Sequence, residues 1–166
     1  MFATPATGHD SKTEFYSALC EQAEALFDGE SDPIANAANL SALVFELAPG
    51  LNWVGFYFLK SAHELVLGPF QGKVACVRIA VGKGVCGTAA AEQKTVLVPD
   101  VHDFPGHIAC DAASRSELVV PLIRDGKVFG VFDIDSPFPG RFDADDRTGF
   151  ERLAAIYVVA SHPMMP

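Results

Sequence analysis

The hydrophobic residues of this chain change their spacing near residue 50. Before that point they recur every three to four positions, which predicts two amphipathic helices. The first is capped by Ser11 in "SKTE" and stops at Gly29, so we expect it over about 11–28. The second begins at "SDPI", with Ser31 or Asp32 as its cap and Pro33 in its first turn, and runs to about residue 47.

From residue 51 onward the pattern changes to short β-branched and aromatic runs, which are typical of strands. Six such runs are "LNWVGFYFLK", "ELVLGPF", "KVACVRIAV", "KTVLVPD", "ELVVPLI" and "VFGVFDID". An Ala-rich helical turn interrupts them at about 85–92, and "DADDRTGFERLAAIYVVAS" closes the chain as a helix with Asp143 or Asp145 near its cap. This order predicts an α+β fold, in which N- and C-terminal helices flank a central, mainly antiparallel sheet of five or six strands.

Length and net charge limit the number of domains and the kinds of binding partner that this chain can have. The chain has 166 residues, of which 49% are hydrophobic, and fits one domain, which we place at 11–166 behind a loose tail of residues 1–10. Its 12 basic and 21 acidic residues give a net charge of −9, which argues against nucleic acid and anionic membranes as partners. The N terminus lacks a signal-peptide pattern and no apolar run is long enough to span a bilayer, so we expect a cytoplasmic protein.

Four cysteines carry the first chemical signal, namely Cys20, Cys76, Cys86 and Cys110. In the cytoplasm they should rest as thiols, and without a CxxC pair they do not predict a structural zinc site. Cys20, beside Leu19 in the first helix, is predicted to serve packing. The other three fall within 35 positions of one another, which favours thiol chemistry over three separate core fillings.

Cys110 lies in a long irregular segment, "DVHDFPGHIACDAASRS". A loop of this length inside a compact domain is more often functional than idle. The segment also carries His102, Asp103, His107 and Asp111. The residues alone leave Cys110 open to three interpretations: core packing, a metal ligand with His102 and His107, or a nucleophile.

The stretch "GKGVCG" matches the dinucleotide fingerprint G-x-G-x-x-G, follows a predicted strand and has Asp100 at a suitable distance beyond it. The helix after it spans only about two turns, however, and a hairpin follows instead of further βα units. We therefore interpret it as a glycine-rich turn that enters a pocket. Cys86 lies inside this turn, and Cys76 is predicted in the strand before it.

Acidic residues interrupt the apolar pattern of the last two strands. In "VFGVFDID", alternation puts Asp133 and Asp135 on one face, where they line either an exposed sheet edge or a pocket floor. A three-residue loop in "RDGK", with Gly126 in the left-handed position, would place Glu117 opposite Asp133 and collect three acids. A two-residue loop would instead place Glu117 opposite Ile134, away from the aspartates. We expect the three-residue loop.

Three acids in one pocket repel one another, and burial also raises their pKa values. One of them could then hold a proton near neutral pH and act as a general acid, while another binds a cation such as a substrate ammonium. Trp53 and Tyr57 share a strand face in "NWVGFYF". They are either walls of the same pocket or ordinary core aromatics.

Together, "NWVGFYF", "GPFQGKVACVRI", "GKGVCGTAA", "DVHDFPGHIACD" and "SELVVPL" with "VFGVFDIDS" resemble the free methionine-(R)-sulfoxide reductases, small enzymes on the GAF fold. The likeness covers nearly all of residues 11–160. It implies reduction of free L-methionine-(R)-sulfoxide to methionine, with thioredoxin as external reductant and no bound cofactor or metal. A homodimer is one option for the oligomeric state, which the sequence leaves open.

The resemblance also assigns roles to individual residues. Cys110 would be the nucleophile and Cys76 its resolving partner, while Cys86 could resolve instead or relay the disulfide. The residues that match the family's substrate pocket are the acids Glu117, Asp133 and Asp135 and the aromatics Trp53 and Tyr57. The alternative function is a GAF sensory module that binds a small ligand or senses redox state without turnover.

Overall fold

Three of the four α-helices in the described residues begin at a side chain that caps them, whereas the third helix along the chain has no side-chain cap. The computed structural model describes residues 11–107 and 111–162. Ser11 accepts a hydrogen bond from the backbone N–H of Glu14, and Asp32 accepts two from the next turn. Asp143 forms a reciprocal capping box with Asp146. The helices are α1 (Lys12–Phe27), α2 (Pro33–Leu47), α3 (Gly84–Glu92) and α4 (Ala144–Ala160).

Six strands form one sheet in the order β3-β2-β1-β6-β5-β4, with antiparallel pairing throughout. The strands are β1 (Trp53–Ser61), β2 (Glu64–Gly72), β3 (Arg78–Ala80), β4 (Val96–Val98), β5 (Ser116–Arg124) and β6 (Lys127–Ser136). The predicted α+β fold is confirmed. The tail predicted for residues 1–10 lies outside the described residues. None of the described helices is both long and apolar enough to cross a membrane.

The two faces of the sheet bury different cores. Helices α1, α2 and α4 cover one face, where Phe56 of β1 and Phe132 of β6 stack with ring centroids 4.6 Å apart. The second core lies on the opposite face and contains Trp53, Tyr57 and Val131 together with Cys86 of α3. Since alternate residues of a strand point to opposite faces, the apolar-polar alternation in β6 delivers its aspartates to the second face.

The turn between β5 and β6 differs from the prediction. Arg124 pairs with Lys127 across a two-residue loop, Asp125–Gly126, in which both residues have positive φ. The three-residue loop is therefore wrong. Ile123 pairs with Val128 and Leu122 with Gly130, which leaves Phe129 as an extra residue in a β-bulge.

This bulge shifts the pairing by one residue. Glu117 consequently lies opposite Asp135, and not opposite Asp133 or Ile134. Residues directly opposite in an antiparallel pair share a face, so the three acids still lie together. The expected grouping is confirmed, although its cause is the bulge and not the turn.

The third predicted strand is also shorter than expected. Only Arg78–Ala80 pairs with β2, so Cys76 lies in a loop and the strand assigned to it is wrong. Side chains of β1 hold this loop instead: Trp53 Nε1 donates to the carbonyl of Lys73, and the Tyr57 hydroxyl donates to the carbonyl of Cys76, each at 3.1 Å. These bonds compete with regular strand pairing for the same backbone groups.

Candidate active site

A small pocket opens on the face of the sheet that the three long helices leave uncovered. Strands β1, β5 and β6 form its floor, and the start of α3 together with His107, Asp111 and Ser114 forms its walls. Its polar and aromatic lining residues are Tyr57, Cys86, His107, Asp111, Ser114, Glu117, Asp133 and Asp135. The water-accessible space inside is about 30 Å³, which is room for about one water molecule.

The predicted acids all line this pocket. Glu117 and Asp133 are each only 6% exposed. Burial, and then the charge of Asp135, raises the pKa of Glu117 well above its ordinary value; burial and the charge of Glu117 do the same for Asp133. Burial and the charge of Asp133 raise the pKa of Asp135. The cluster therefore retains protons at pH values where an exposed carboxyl is ionised.

His107 is a pocket residue whose contact with the acids sequence reasoning missed. Its Nε2 lies 3.6 Å from Oε2 of Glu117, and burial lowers the pKa of its imidazole. His102, in contrast, is exposed and bonds Asp100 through Nδ1 at 2.8 Å. Only one of the two histidines considered as metal ligands with Cys110 therefore lines the pocket. No pattern in the sequence distinguishes them, since both precede Cys110 in the same irregular segment.

The described cysteines differ in chemical state. Cys76 is disulfide-bonded, whereas Cys20 and Cys86 are free thiols. Cys20 is buried in the helical core, which confirms its packing role. Cys86 is buried in the pocket with Sγ 4.0 Å from Oε1 of Glu117; burial and the nearby acids raise its pKa, which keeps it protonated. Cys110 lies outside the described residues.

The turn "GKGVCG" forms part of the pocket wall. Gly84, Val85 and Cys86 line it. A Cβ on Gly87 would lie 2.3 Å from the carbonyl oxygen of Ala80, so glycine is required for the close approach of α3 to β3. The described strands that follow α3, namely β4, β5 and β6, pair in an antiparallel fashion and do not form the parallel βαβ unit of a dinucleotide fold. The interpretation as a turn entering a pocket is confirmed.

Trp53 and Tyr57 stack on one another, with ring centroids 5.9 Å apart and an interplanar angle of 26°. Tyr57 lines the pocket, and Trp53, 3% exposed, stacks behind it against Phe70. Through the hydrogen bonds described above, these rings also position the Cys76 loop beside the pocket. That second function could not be read from the sequence, because it depends on which carbonyl groups the loop presents.

Asn52 is a further residue that sequence reasoning missed. Its Nδ2 donates to Oδ2 of Asp111 at 3.1 Å and to Oγ of Ser114 at 3.0 Å. Both acceptors line the pocket. Asn52 therefore ties the start of β1 to the segment that directly follows Cys110 in the sequence.

Comparison with known proteins agrees with this architecture. The model of the GAF domain family matches residues 35–160. The free methionine-R-sulfoxide reductase of Escherichia coli strain K12 is 53% identical over 145 residues, which are 87% of this chain and 87% of that protein. The protein of that name from Saccharomyces cerevisiae is 47% identical over 153 residues, 88% of this chain and 85% of its own length.

A solved structure extends the likeness to three dimensions. The X-ray structure of free methionine-R-sulfoxide reductase from Neisseria meningitidis in complex with its substrate matches with a TM-score of 0.90 at 43% identity, over 95% of this chain and 94% of that chain. Fold and sequence thus define a GAF-domain protein. At this identity and coverage, the chain belongs to the free methionine-R-sulfoxide reductase family, and the resemblance stated from the sequence is confirmed.

Proposed function

We propose that this protein reduces free L-methionine-(R)-sulfoxide to L-methionine. The observation that carries the proposal is the buried pocket in which Glu117, Asp133 and Asp135 share a face beside the loop of a disulfide-bonded cysteine, Cys76. A sulfoxide is reduced by a thiol and a proton donor acting together. The relatives named for this activity supply the substrate class.

The reaction starts at Cys110. Its thiolate attacks the sulfoxide sulfur, the oxygen passes to the cysteine as a sulfenic acid, and a proton is taken up. Cys76 then attacks the sulfenic sulfur, which releases water and leaves a disulfide. Thioredoxin reduces this disulfide from outside the protein, without a bound cofactor. The cytoplasm, where thioredoxin is kept reduced, suits this cycle.

The pocket acids provide the proton and hold the substrate. Because burial and mutual repulsion raise their pKa values, these carboxyls hold protons above the usual carboxyl range, and one of them donates its proton to the sulfoxide oxygen. The remaining negative charge attracts the ammonium group of a free amino acid. The faces of Tyr57 and, behind it, Trp53 provide the apolar surface for the substrate methyl group.

The division of labour among the thiols follows from their surroundings. Cys86 is buried between acids and stays protonated, so it is a poor attacking group. Cys76 lies in a loop outside regular structure, where hydrogen bonds from β1 hold it at the border of the pocket. These contacts support Cys76, and not Cys86, as the resolving cysteine.

A coupled assay tests the function. Purified protein is combined with thioredoxin, thioredoxin reductase and NADPH, and racemic free methionine sulfoxide is added. We expect steady oxidation of NADPH that stops when half of the sulfoxide is consumed. A peptide with methionine sulfoxide in its interior serves as control and should give no turnover, since it lacks the free ammonium group. A flat trace with the free amino acid would exclude the enzyme and leave the sensory module.

A further inference from the structure

Three side chains in the pocket converge on one point, and one of them, the Cys86 thiol, has no part in the proposed reduction. Sγ of Cys86 and one carboxylate oxygen each of Glu117 and Asp133 all lie within 4.8 Å of one another, and all three residues are buried. They come from three different elements, α3, β5 and β6, so the convergence results from the tertiary fold and not from neighbouring positions in the sequence.

A second observation is independent of this convergence. Oδ1 of Asp133 is fully buried and has no hydrogen-bond partner among the described residues. Buried carboxylate oxygens are normally satisfied by a donor or a cation. Within the described part of the chain, His107 is the one basic side chain within 4.0 Å of Glu117, which also contacts the Cys86 thiol, and no lysine or arginine forms an ion pair with Asp133 or Asp135. The pocket thus combines an orphaned oxygen with an excess of acidic groups.

We propose that Cys86, Glu117 and Asp133 bind one thiophilic divalent cation, with Zn²⁺ as the representative ion. A thiolate and two carboxylates suit this borderline-soft ion, which takes sulfur at about 2.3 Å and oxygen at about 2.0–2.2 Å. Hard cations such as Mg²⁺ and Ca²⁺ prefer six or more oxygen ligands and do not match a site with a thiol.

The site is open, with three protein ligands and room for a fourth from solvent or substrate. It differs in this respect from the closed structural zinc site that a pair of CxxC motifs would have predicted. Binding displaces protons from the thiol and the carboxyls, so the apparent affinity should rise with pH. The ion would occupy the pocket of the proposed reductase and inhibit it in competition with substrate; this consequence, unlike the binding itself, rests on the proposed function.

The test uses the oxidised protein without added thiol, so that Cys76 remains in its disulfide and Cys86 is the free thiol of the pocket. Co²⁺ replaces Zn²⁺ as a spectroscopic probe. We expect one cobalt ion per chain, a near-ultraviolet charge-transfer band from a thiolate ligand, and displacement of the cobalt by Zn²⁺. Competition with a zinc indicator measures the affinity.

Two variants locate the ion. Cys86→Ser should abolish the charge-transfer band and weaken Zn²⁺ binding at least tenfold, and Asp133→Asn should weaken binding at least tenfold while keeping the band at high cobalt. Cys20→Ser is the matched control, because among the described residues Cys20 is a second buried free thiol and lies outside the pocket, and its removal should change neither quantity.

Some results would overturn the proposal. A wild-type protein that shows no thiolate band with cobalt refutes it without any variant, so a misfolded mutant cannot obscure the outcome. A band that survives in Cys86→Ser, or disappears in Cys20→Ser, assigns the ion elsewhere and also refutes it. Because binding is measured without substrate, a protein that binds the ion but lacks turnover would contradict the proposed function alone.

Discussion

Tyr57 contacts both the substrate pocket and the loop of Cys76, the proposed resolving cysteine. Its ring lines the substrate pocket, while its hydroxyl donates to the carbonyl of Cys76. The two contacts use different atoms of one side chain. Substitution can therefore separate positioning of the resolving cysteine from contact with the substrate.

We expect Tyr57→Phe to slow disulfide formation and to leave substrate binding nearly unchanged. Loss of one hydrogen bond of about 1 kcal/mol corresponds to about fivefold in rate. Rapid-quench thiol counting after a single addition of sulfoxide measures the step, and KM from the coupled assay reports binding.

Tyr157→Phe is the matched control for this change. It removes a similar hydroxyl bond, to the carbonyl of Pro33, within the helical layer. The rate of disulfide formation should be that of the wild type. An equal slowing in both variants would mean that the Tyr57 bond has no specific role in resolution.

At the scale of elements, the β5–β6 hairpin determines which acids face each other. Its tight turn needs two residues with positive φ, Asp125 at 51° and Gly126 at 74°. Aspartate and asparagine tolerate this conformation, whereas most other residues with a Cβ are strained by about 1–2 kcal/mol. The turn is therefore sensitive to substitution even though nothing lies within 4 Å of a Cβ built on Gly126.

Gly126→Ala should lower the free energy of unfolding by about 1 kcal/mol, which corresponds to a Tm lower by about 2–4 °C. Seven residues of β5 separate Glu117 from the turn, so kcat should stay near the wild-type value. Asp125→Asn provides the control, because asparagine also accepts the left-handed conformation. Thermal unfolding followed by circular dichroism measures both variants; an unchanged Tm in Gly126→Ala would contradict the strain argument.

The sequence predicted correctly which residues of β6 share a face of the sheet, but not which residues of β5 they pair with. Strict alternation is a property of the strand itself, so Asp133 and Asp135 could be assigned to one face before any pairing was known. The bulge at Phe129 cannot be recognised in the sequence. One extra residue in a short apolar run changes which residues pair across the strands, but it leaves the run itself apolar. The loop of Cys76 was missed for a related reason: its residues favour a strand, and tertiary hydrogen bonds from Trp53 and Tyr57 override that preference.

At the scale of the whole molecule, the acid cluster reduces stability as the pH rises. The carboxyls of Glu117 and Asp133 have raised pKa values in the folded chain, so the folded state holds protons that the unfolded state releases. Their contribution is fully present below the ordinary carboxyl pKa, 3.8 for aspartate, and is lost as the pH rises through the raised pKa values. Asp100 and Asp143, whose pKa values are lowered by Arg115 and Lys12, act in the opposite sense at lower pH.

Asp133→Asn should therefore be more stable than the wild type at about pH 8, with a Tm higher by a few degrees, and the difference should shrink toward about pH 4. The comparison between variants cancels the contributions of groups far from Asp133, and loss of its charge also relieves the repulsion on Asp135. Asp28→Asn, at an exposed position, is the control and should leave the pH profile unchanged. A wild-type Tm at pH 8 that equals or exceeds that of Asp133→Asn would contradict the energetic account of the cluster.

The most direct test of the account is a single turnover without thioredoxin. Fully reduced protein, freed of reductant, receives excess racemic methionine sulfoxide, and the methionine formed is counted per chain. Wild type and Cys76→Ser should each form about one methionine, because the nucleophile needs no partner for the first step; with thioredoxin added, Cys76→Ser should not recycle. Cys110→Ser should form none, and one methionine per chain from that variant would contradict the assignment of Cys110 and the mechanism built on it.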